Sequence, residues 1–467
     1  MNKLSFLFVA SAFCVISCDK SDNQVLDFEP AQQKEEGLTQ DELLALSNYF
    51  MGSKITEEEA MESAVSIMEF LDSSTGTKGS KGRSIASCKP VTQVKETKSG
   101  SVDEDTVAYV FNFSDDGGYT ILSADRRTSS VLALVPEGNI DFQGEFDENI
   151  LKTGAMVFYG NLEGAYMSQI EQEADNEQYL LSRALEKLSH NDSTPVTKAM
   201  IDEMEIRYGP LKTELVAPVT VAVRWGQDNP YNLSTPIISG QHALNGCVAT
   251  AVAQMMSYWR FPKSYEWSSM MPSFGAETYS TFQKISNLMS DVGVGVNTKY
   301  GKTSSSAYLE DVPAYMASLG FDPGTYGEFN TEQVLASLED YYPVIVSGSA
   351  LKKDVYKTYM LFWEKYSHTY YDDNHTWLVD GAIMTYRTIY VTYQGETYQF
   401  DRQNQKLLMH CNFGWPELTL DGYYDWGVFD TRQGPVTRGH TNTSGSKGYY
   451  QYNVMCVTGI RRLDVTH

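Results

Sequence analysis

The stretch CVATAVAQMMSYW, residues 247–259, constrains this chain more than any other. Val248, Val252, Met255 and Met256 recur at helical spacing, Asn245 and Gly246 stand where a helix begins, and Pro262 cannot continue one. A face of that kind has to be buried against something. The partner lies toward the C terminus, where HTWLVDGA (375–382), TIYVTY (388–393), ETYQF (396–400) and KLLMHCNFGW (406–415) alternate like strands of an antiparallel sheet. A helix followed by its sheet predicts an α+β domain starting near residue 208, where Gly, Tyr, Trp and Pro become frequent.

A chain of 467 residues holds two or three domains. Upstream, ITEEEAMESAVSIMEFLD (55–72) predicts a helix with Thr56 and Glu59 as a capping box and Ala60, Ala64, Ile67 and Leu71 along one face. The Gly/Ser/Lys-rich stretch 73–84 reads as a loop. VAYVFNF and YTILSA, joined by Asp115 to Gly118, predict a hairpin, and SSVLALV adds a strand. A long helical stretch is expected over about 149–190, and SHNDSTPVTK (189–198) breaks it. The order is a small α+β unit and then a larger one.

At the N terminus, Lys3, an apolar run and VISC ending at Cys18 resemble a bacterial lipoprotein signal, with an ordinary secretory signal as the alternative. Cleavage before Cys18 would leave that thiol to carry lipid, with residues 18–40 as a polar tether. No other apolar run is long enough to cross a bilayer. A net charge of −24 argues against nucleic acid as a partner, because phosphates need Lys and Arg opposite them. Cys88, Cys247, Cys411 and Cys456 lack metal-type spacing, and no C-x-x-C or H-E-x-x-H occurs, so neither zinc nor another cofactor is expected.

Cys247 falls in the first turn of its helix, where unpaired N–H groups and the helix dipole favour an anion. A thiol there ionises more readily, and the thiolate is the nucleophile. A buried structural cysteine remains equally open on these facts. His375 begins a strongly patterned strand after a polar loop and is the best placed of the seven histidines to act as a base. Asn412 shares a strand face with His410, opposite to Cys411; its amide can orient the His375 ring, or it simply shapes the turn into Gly414. Gln227, in VRWGQDNPYNLSTP, can offer an amide to an oxyanion beside the Cys247 N–H.

Taken together, GQDNPYNLSTP, GQHALNGCVATAVAQMMSYWRFP, DVGVGVNTKYGKTSSSA, HTWLVDGA and HCNFGWPELTLDGYY resemble, in order, the motif blocks of the streptopain-like secreted bacterial cysteine proteases, which have a papain-like fold. SAVSIMEF and YVFNFSDDGGYTILSADRRTSSVLAL resemble that family's inhibitory prodomain, so the likeness spans nearly the whole chain after the signal. The resemblance implies a two-lobed papain-like catalytic domain with a helix-borne cysteine and a sheet-borne histidine. It implies Cys247 as nucleophile, His375 as base, Gln227 in the oxyanion hole, Asn412 and Trp415 as orienting support, and Ser306 and Asn374 at substrate-contacting positions. Phe413 stands where the family's block has its first Trp, and the segments 351–373 and 382–406 read as lengthened loops. Aligning MEIRYGPLKTEL with the family's processing region implies cleavage after Arg207, with Lys198 second. The expected division is therefore 1–17 signal, 18–40 tether, 41–207 prodomain and 208–467 protease.

The function implied is a zymogen endopeptidase acting on proteins and peptides, inhibited by its own prodomain. It is exported, anchored by lipid as a precursor and released when mature. Two other classes stand beside it: a Cys–His acyltransferase of transglutaminase type, and a non-catalytic surface-binding lipoprotein.

Overall fold

A computed structural model describes residues 39–74, 83–96, 102–140 (without 129), 176–187, 205–425 (without 274, 360–362, 394 and 417–419) and 452–464. The expected signal, tether, Cys18, the boundary at 189–198, Lys198, and the loop 73–84 apart from its ends lie outside those residues. Of the long helix expected over 149–190, the described part is helical over 176–187. Among the described residues no helix is long and apolar enough to cross a membrane.

The chain forms two compact units. One comprises Met1–Ser53, Gln172–Gly209 and Thr388–Asn404; the other comprises Lys54–Glu171, Pro210–Arg387 and Gln405–His467. In the first, α1 (Gln40–Met51) begins on a capping box between Thr39 and Glu42. Leu43 and Leu46 of α1 are buried with Ile206, Ile389 and Val391 in a small apolar core. Glu42, fully buried, is ion-paired with Lys187 (2.8 Å) and Arg183 (3.2 Å), which offset its burial and lower its pKa.

The second unit opens with α2 (Glu57–Ser74). The expected capping box is present: the Thr56 N–H donates to Glu59 and the Glu59 N–H to the Thr56 hydroxyl, both at 3.2 Å. Ala60, Ala64, Ile67 and Leu71 are all buried. Thr56→Ala should cost about 1 kcal/mol, read as roughly fivefold faster amide exchange along α2. Unchanged exchange would mean that the cap is unimportant.

Four strands follow, β1 (Ile85–Glu96), β2 (Val102–Phe113), β3 (Tyr119–Ser123) and β4 (Val131–Val135), each antiparallel to the next. The β2–β3 turn takes left-handed conformations at Asp115, Asp116 and Gly118, as its sequence predicts. In chain order come β5 (Glu205–Tyr208), β6 (Lys212–Ala217), β7 (Ile237–Ile238), β8 (Gln241–His242), β9 (Phe321–Asp322), β10 (Thr325–Glu328), β11 (Val344–Tyr359), β12 (Trp363–Tyr393), β13 (Glu396–Asn412), β14 (Gly422–Asp425) and β15 (Tyr452–Thr458). The main sheet runs β1-β2-β3-β4-β14-β13-β12-β11-β15-β10. Strand β4 joins it through β14, with Tyr423 opposite Leu134 and Tyr424 opposite Ala133. The segments 351–373 and 382–406, expected as lengthened loops, are instead largely strand: they extend β11, β12 and β13 into long antiparallel ribbons.

Strand alternation gives the sheet two different faces. Ile345, Leu378 and Val457 lie in one core with the Cys247–Trp259 helix. Val344, Val346, Trp377 and Val379 lie in another, shared with Val107, Val110, Tyr119, Leu132 and Ala133 of β2 to β4. The cysteine helix is buried on nearly every side, not along one stripe, and it stops at Arg260 in a left-handed conformation two residues before Pro262. The architecture is α+β, as predicted.

Candidate active site

Cys247 is the first residue of its helix. Gly246 precedes it at φ +89°, and a Cβ there would press within 3.3 Å of the Ser305 carbonyl oxygen, so both backbone conformation and space call for glycine. No side chain caps this helix start. The thiol lies in a small cavity lined by Thr250, Ala251, Gln254, Thr376, Trp377, Asn412, Phe413 and Gly414. Burial raises its pKa, outweighing the opposing hydrogen bonds from Thr376 and from the first-turn N–H groups of Val248 and Cys247. The helix-start effect expected from sequence is therefore present and outweighed.

His375 is 5% exposed. Its Nε2–H donates to the Phe413 carbonyl (3.2 Å), and the ring lies near-parallel to Trp377 at 12° and 6.2 Å. Burial lowers its pKa to about 4, against a small opposite push from that carbonyl. At neutral pH both thiol and imidazole are uncharged in this form. Alternation explains the placement: Thr376 faces the sulfur, while its neighbour Trp377, beside which the His375 ring lies, packs mainly into the core shared with Val107, Val110 and Tyr119 and also borders the cysteine cavity.

Gln227 is buried; its carbonyl accepts the Asn245 N–H (2.9 Å), and two residues earlier the Trp225 carbonyl accepts from Gln254 of the cysteine helix (2.7 Å). These two bonds strap the Gln227 segment beside Cys247. Asn412 lines the cavity, but its amide is occupied: it donates to the Val223 carbonyl (3.1 Å) and accepts the Gly414 N–H (3.1 Å). In this form it shapes the turn into Gly414. Trp415 follows, partly buried, its indole N–H without a partner. Ser306 is exposed and bridges to Lys299, one residue beyond the Ser305 backbone that packs on Gly246. Asn374 is exposed and accepts a hydrogen bond from Ser349. Arg207 lies within β5, opposite Tyr390, its guanidinium 4.1 Å from that ring's centre.

The structure brings Gln227 and Asn412 close to the cysteine, holds His375 on the opposite sheet face, and leaves Ser306 and Asn374 at the surface. It also adds groups that the sequence did not single out. Thr376 is the first, and alternation from His375 was the signal that could have found it. The second is a buried charged cluster: His410 Nδ1 lies 2.6 Å from Asp380 Oδ1, while Asp380 also accepts the Val221 N–H at 2.9 Å. Burial would lower His410, but the Asp380 charge outweighs it and raises the pKa. Asp421 accepts the Phe413 N–H (3.1 Å), and burial raises its pKa to about 6. Cys88, Cys247, Cys411 and Cys456 are all free thiols. Among the described residues no cluster of three or more His, Cys, Asp or Glu side chains is arranged to hold a metal ion.

Comparison with known proteins gives a consistent picture. The Peptidase C10 family profile matches residues 225–266 and 263–424, and the Spi protease inhibitor profile matches residues 52–151. One Streptococcus pyogenes streptopain is 24% identical over 469 residues, covering 90% of this chain and 97% of its own length. Another is 26% identical over 364 residues, covering 66% of this chain and 81% of its own length. The thiol protease/hemagglutinin PrtT of Porphyromonas gingivalis is 22% identical over 48% of this chain. Among solved structures, a fragment of Prevotella intermedia prointerpain A aligns over 79% of this chain at 18% identity with a TM-score of 0.42.

Proposed function

This chain is a cysteine endopeptidase of the Peptidase C10, streptopain-like kind, made as a zymogen with an inhibitory prodomain, and from that premise we propose that Cys247 is its nucleophile and His375 its base. The observation that supports this reading most is the position of Cys247 at a bare helix start, next to the strand that carries His375. The form described is then the latent one. Prodomain residues share a core with Trp377 and Phe413, the two rings that lie beside His375, so their departure frees the imidazole to leave the Phe413 carbonyl and reach the sulfur.

In the activated enzyme the thiol proton passes to His375, and the Cys247 thiolate attacks the scissile carbonyl carbon. The oxyanion is held by the Cys247 N–H and the Gln227 amide. The imidazolium protonates the departing amine. It then takes a proton from water, which attacks the thioester, releases the acid and restores the thiol. Asn412 and Trp415 support the ring, and Ser306 and Asn374 meet the substrate backbone. The prodomain spans 41–207 and the protease 208–467. Cleavage after Arg207 requires β5 to peel away from β12, because a protease binds its substrate as an extended, unpaired strand. Lipid on Cys18 tethers the precursor, so this cleavage also detaches the enzyme from its anchor.

One experiment tests these points. The full chain is allowed to mature, its new N terminus is sequenced, and a thiol-reactive peptide probe is mapped by mass spectrometry alongside casein digestion. Labelling at Cys247 with casein cleavage and an N terminus at Tyr208 is expected. Labelling at another cysteine, or amine incorporation without hydrolysis, overturns the reading in favour of a different site or an acyltransferase. Fully processed enzyme that stays on membranes after a salt wash would rule out release by processing.

A further inference from the structure

Arg224 sits at a junction between inhibitor and enzyme. Its Nη1 lies 2.5 Å from Oε2 of prodomain residue Glu137. Both line one small cavity with Trp415, Pro416, Leu420 and Asp421. Two carboxylates, one from each domain, therefore border the space into which a single guanidinium reaches. Arg224 is three residues before Gln227, on the segment strapped to the cysteine helix. Asp421 holds the Phe413 N–H, within the Asn412–Trp415 turn that lines the cysteine cavity. The two segments already touch: a Cβ on Gly226 would come within 3.1 Å of Pro416.

We propose that Arg224 exchanges carboxylates on activation: Glu137 of the prodomain holds it in the precursor, and Asp421 takes it once the prodomain has gone, which fixes the Gln227 segment against the Asn412–Trp415 turn. Arg224 and Asp421 are thus positioning residues for the reaction, and Glu137 is the part of the inhibitor that keeps them apart. The charged groups around Asp421 support the exchange. His410 is ion-paired with Asp380 and Arg224 with Glu137; burial raises Asp421 to about 6 even though the His410 and Arg224 charges and the Phe413 N–H already pull it down. Losing Glu137 removes the competitor and leaves the Arg224 charge, which Asp421 already feels, to that one buried carboxylate.

The inference rests on Cys247 and His375 being the reacting pair, and the test separates the two. Glu137 is more than half exposed, so Glu137→Gln disturbs no packing. Its precursor should mature about two- to fivefold faster than wild type, the range set by a half-exposed ion pair. The mature enzyme it yields should match wild type in kcat and KM, since it no longer contains Glu137. In mature enzyme, Arg224→Gln and Asp421→Asn should each lower kcat by about tenfold with KM unchanged, and the double variant should lose no more than either single. Arg224→Lys should recover part of the loss. An unchanged maturation rate for Glu137→Gln, or losses that multiply in the double variant, overturns the exchange. Retained hydrolysis in Cys247→Ala would overturn the underlying reading instead.

Discussion

An activated chain carrying Cys247→Ala hydrolyses peptide on the order of 10⁶ more slowly than wild type, because removing a nucleophile eliminates the covalent route altogether. The loss should be clean. Alanine suits the first turn of this helix, and the residues that follow are buried independently of the sulfur. Among the described residues no other thiol is placed to substitute. Burial raises Cys411 well above the ordinary thiol range, Cys456 to about 11 and Cys88 to about 12. In the full chain the same substitution leaves an intact precursor, visible as a single band that mature enzyme added in trans can still cut. Hydrolysis retained within a factor of about 10³ would assign the nucleophile elsewhere.

His375→Ala has a second large effect, and it acts in two forms of the molecule. In the mature enzyme it removes general acid–base catalysis, expected to cost about 10²–10⁴ in kcat. In the precursor it acts on acid stability. The folded pKa of His375 is about 4, below the unfolded value of about 6.5. Between those values the unfolded chain binds more protons, so stability is complete above the unfolded pKa and is lost as pH falls toward 4. The loss amounts to roughly 3 kcal/mol. Asp421 works in the opposite sense: raised to about 6, it contributes stability at low pH that disappears as pH rises through 6. Denaturation midpoints at pH 7 and 4.5, measured in Cys247→Ala precursor to prevent processing, should converge when His375→Ala is added. Parallel profiles for the two proteins would show that the ring is not held neutral in the latent form.

Local chemistry was the part of this fold legible in the sequence. Thr56 and Glu59 cap a helix because their spacing permits nothing better, and Asp115 to Gly118 turn because those residues accept left-handed backbone. The cysteine helix and the strands beginning at His375 and Lys406 declare themselves by apolar period. The ribbons of β11 to β13 do not: stretches such as KKDVYKTY mix Lys, Asp and Thr with Tyr, which reads as loop. Strand β1 was also missed, since CKPVTQVKE carries Pro90 and two lysines, Lys89 and Lys95. At the candidate site the sequence offers candidates one at a time, but not the state in which the structure holds them. Whether His375 or Thr376 meets the sulfur depends on which sheet face the helix covers, and that is settled by packing across the whole unit. The Arg224–Glu137 pair joins residues 87 positions apart, beyond any periodicity.

The joint between β4 and β14 has a consequence for how such an inhibitor can change over time. Main-chain amides and carbonyls are the same in every residue but proline, so a ladder built from them grips without reading side chains. Mutational drift along such a seam is filtered only for strand-forming ability and for the shape of what lies beneath. An inhibitor and its enzyme can then diverge together without renegotiating a lock-and-key surface, while latency itself survives.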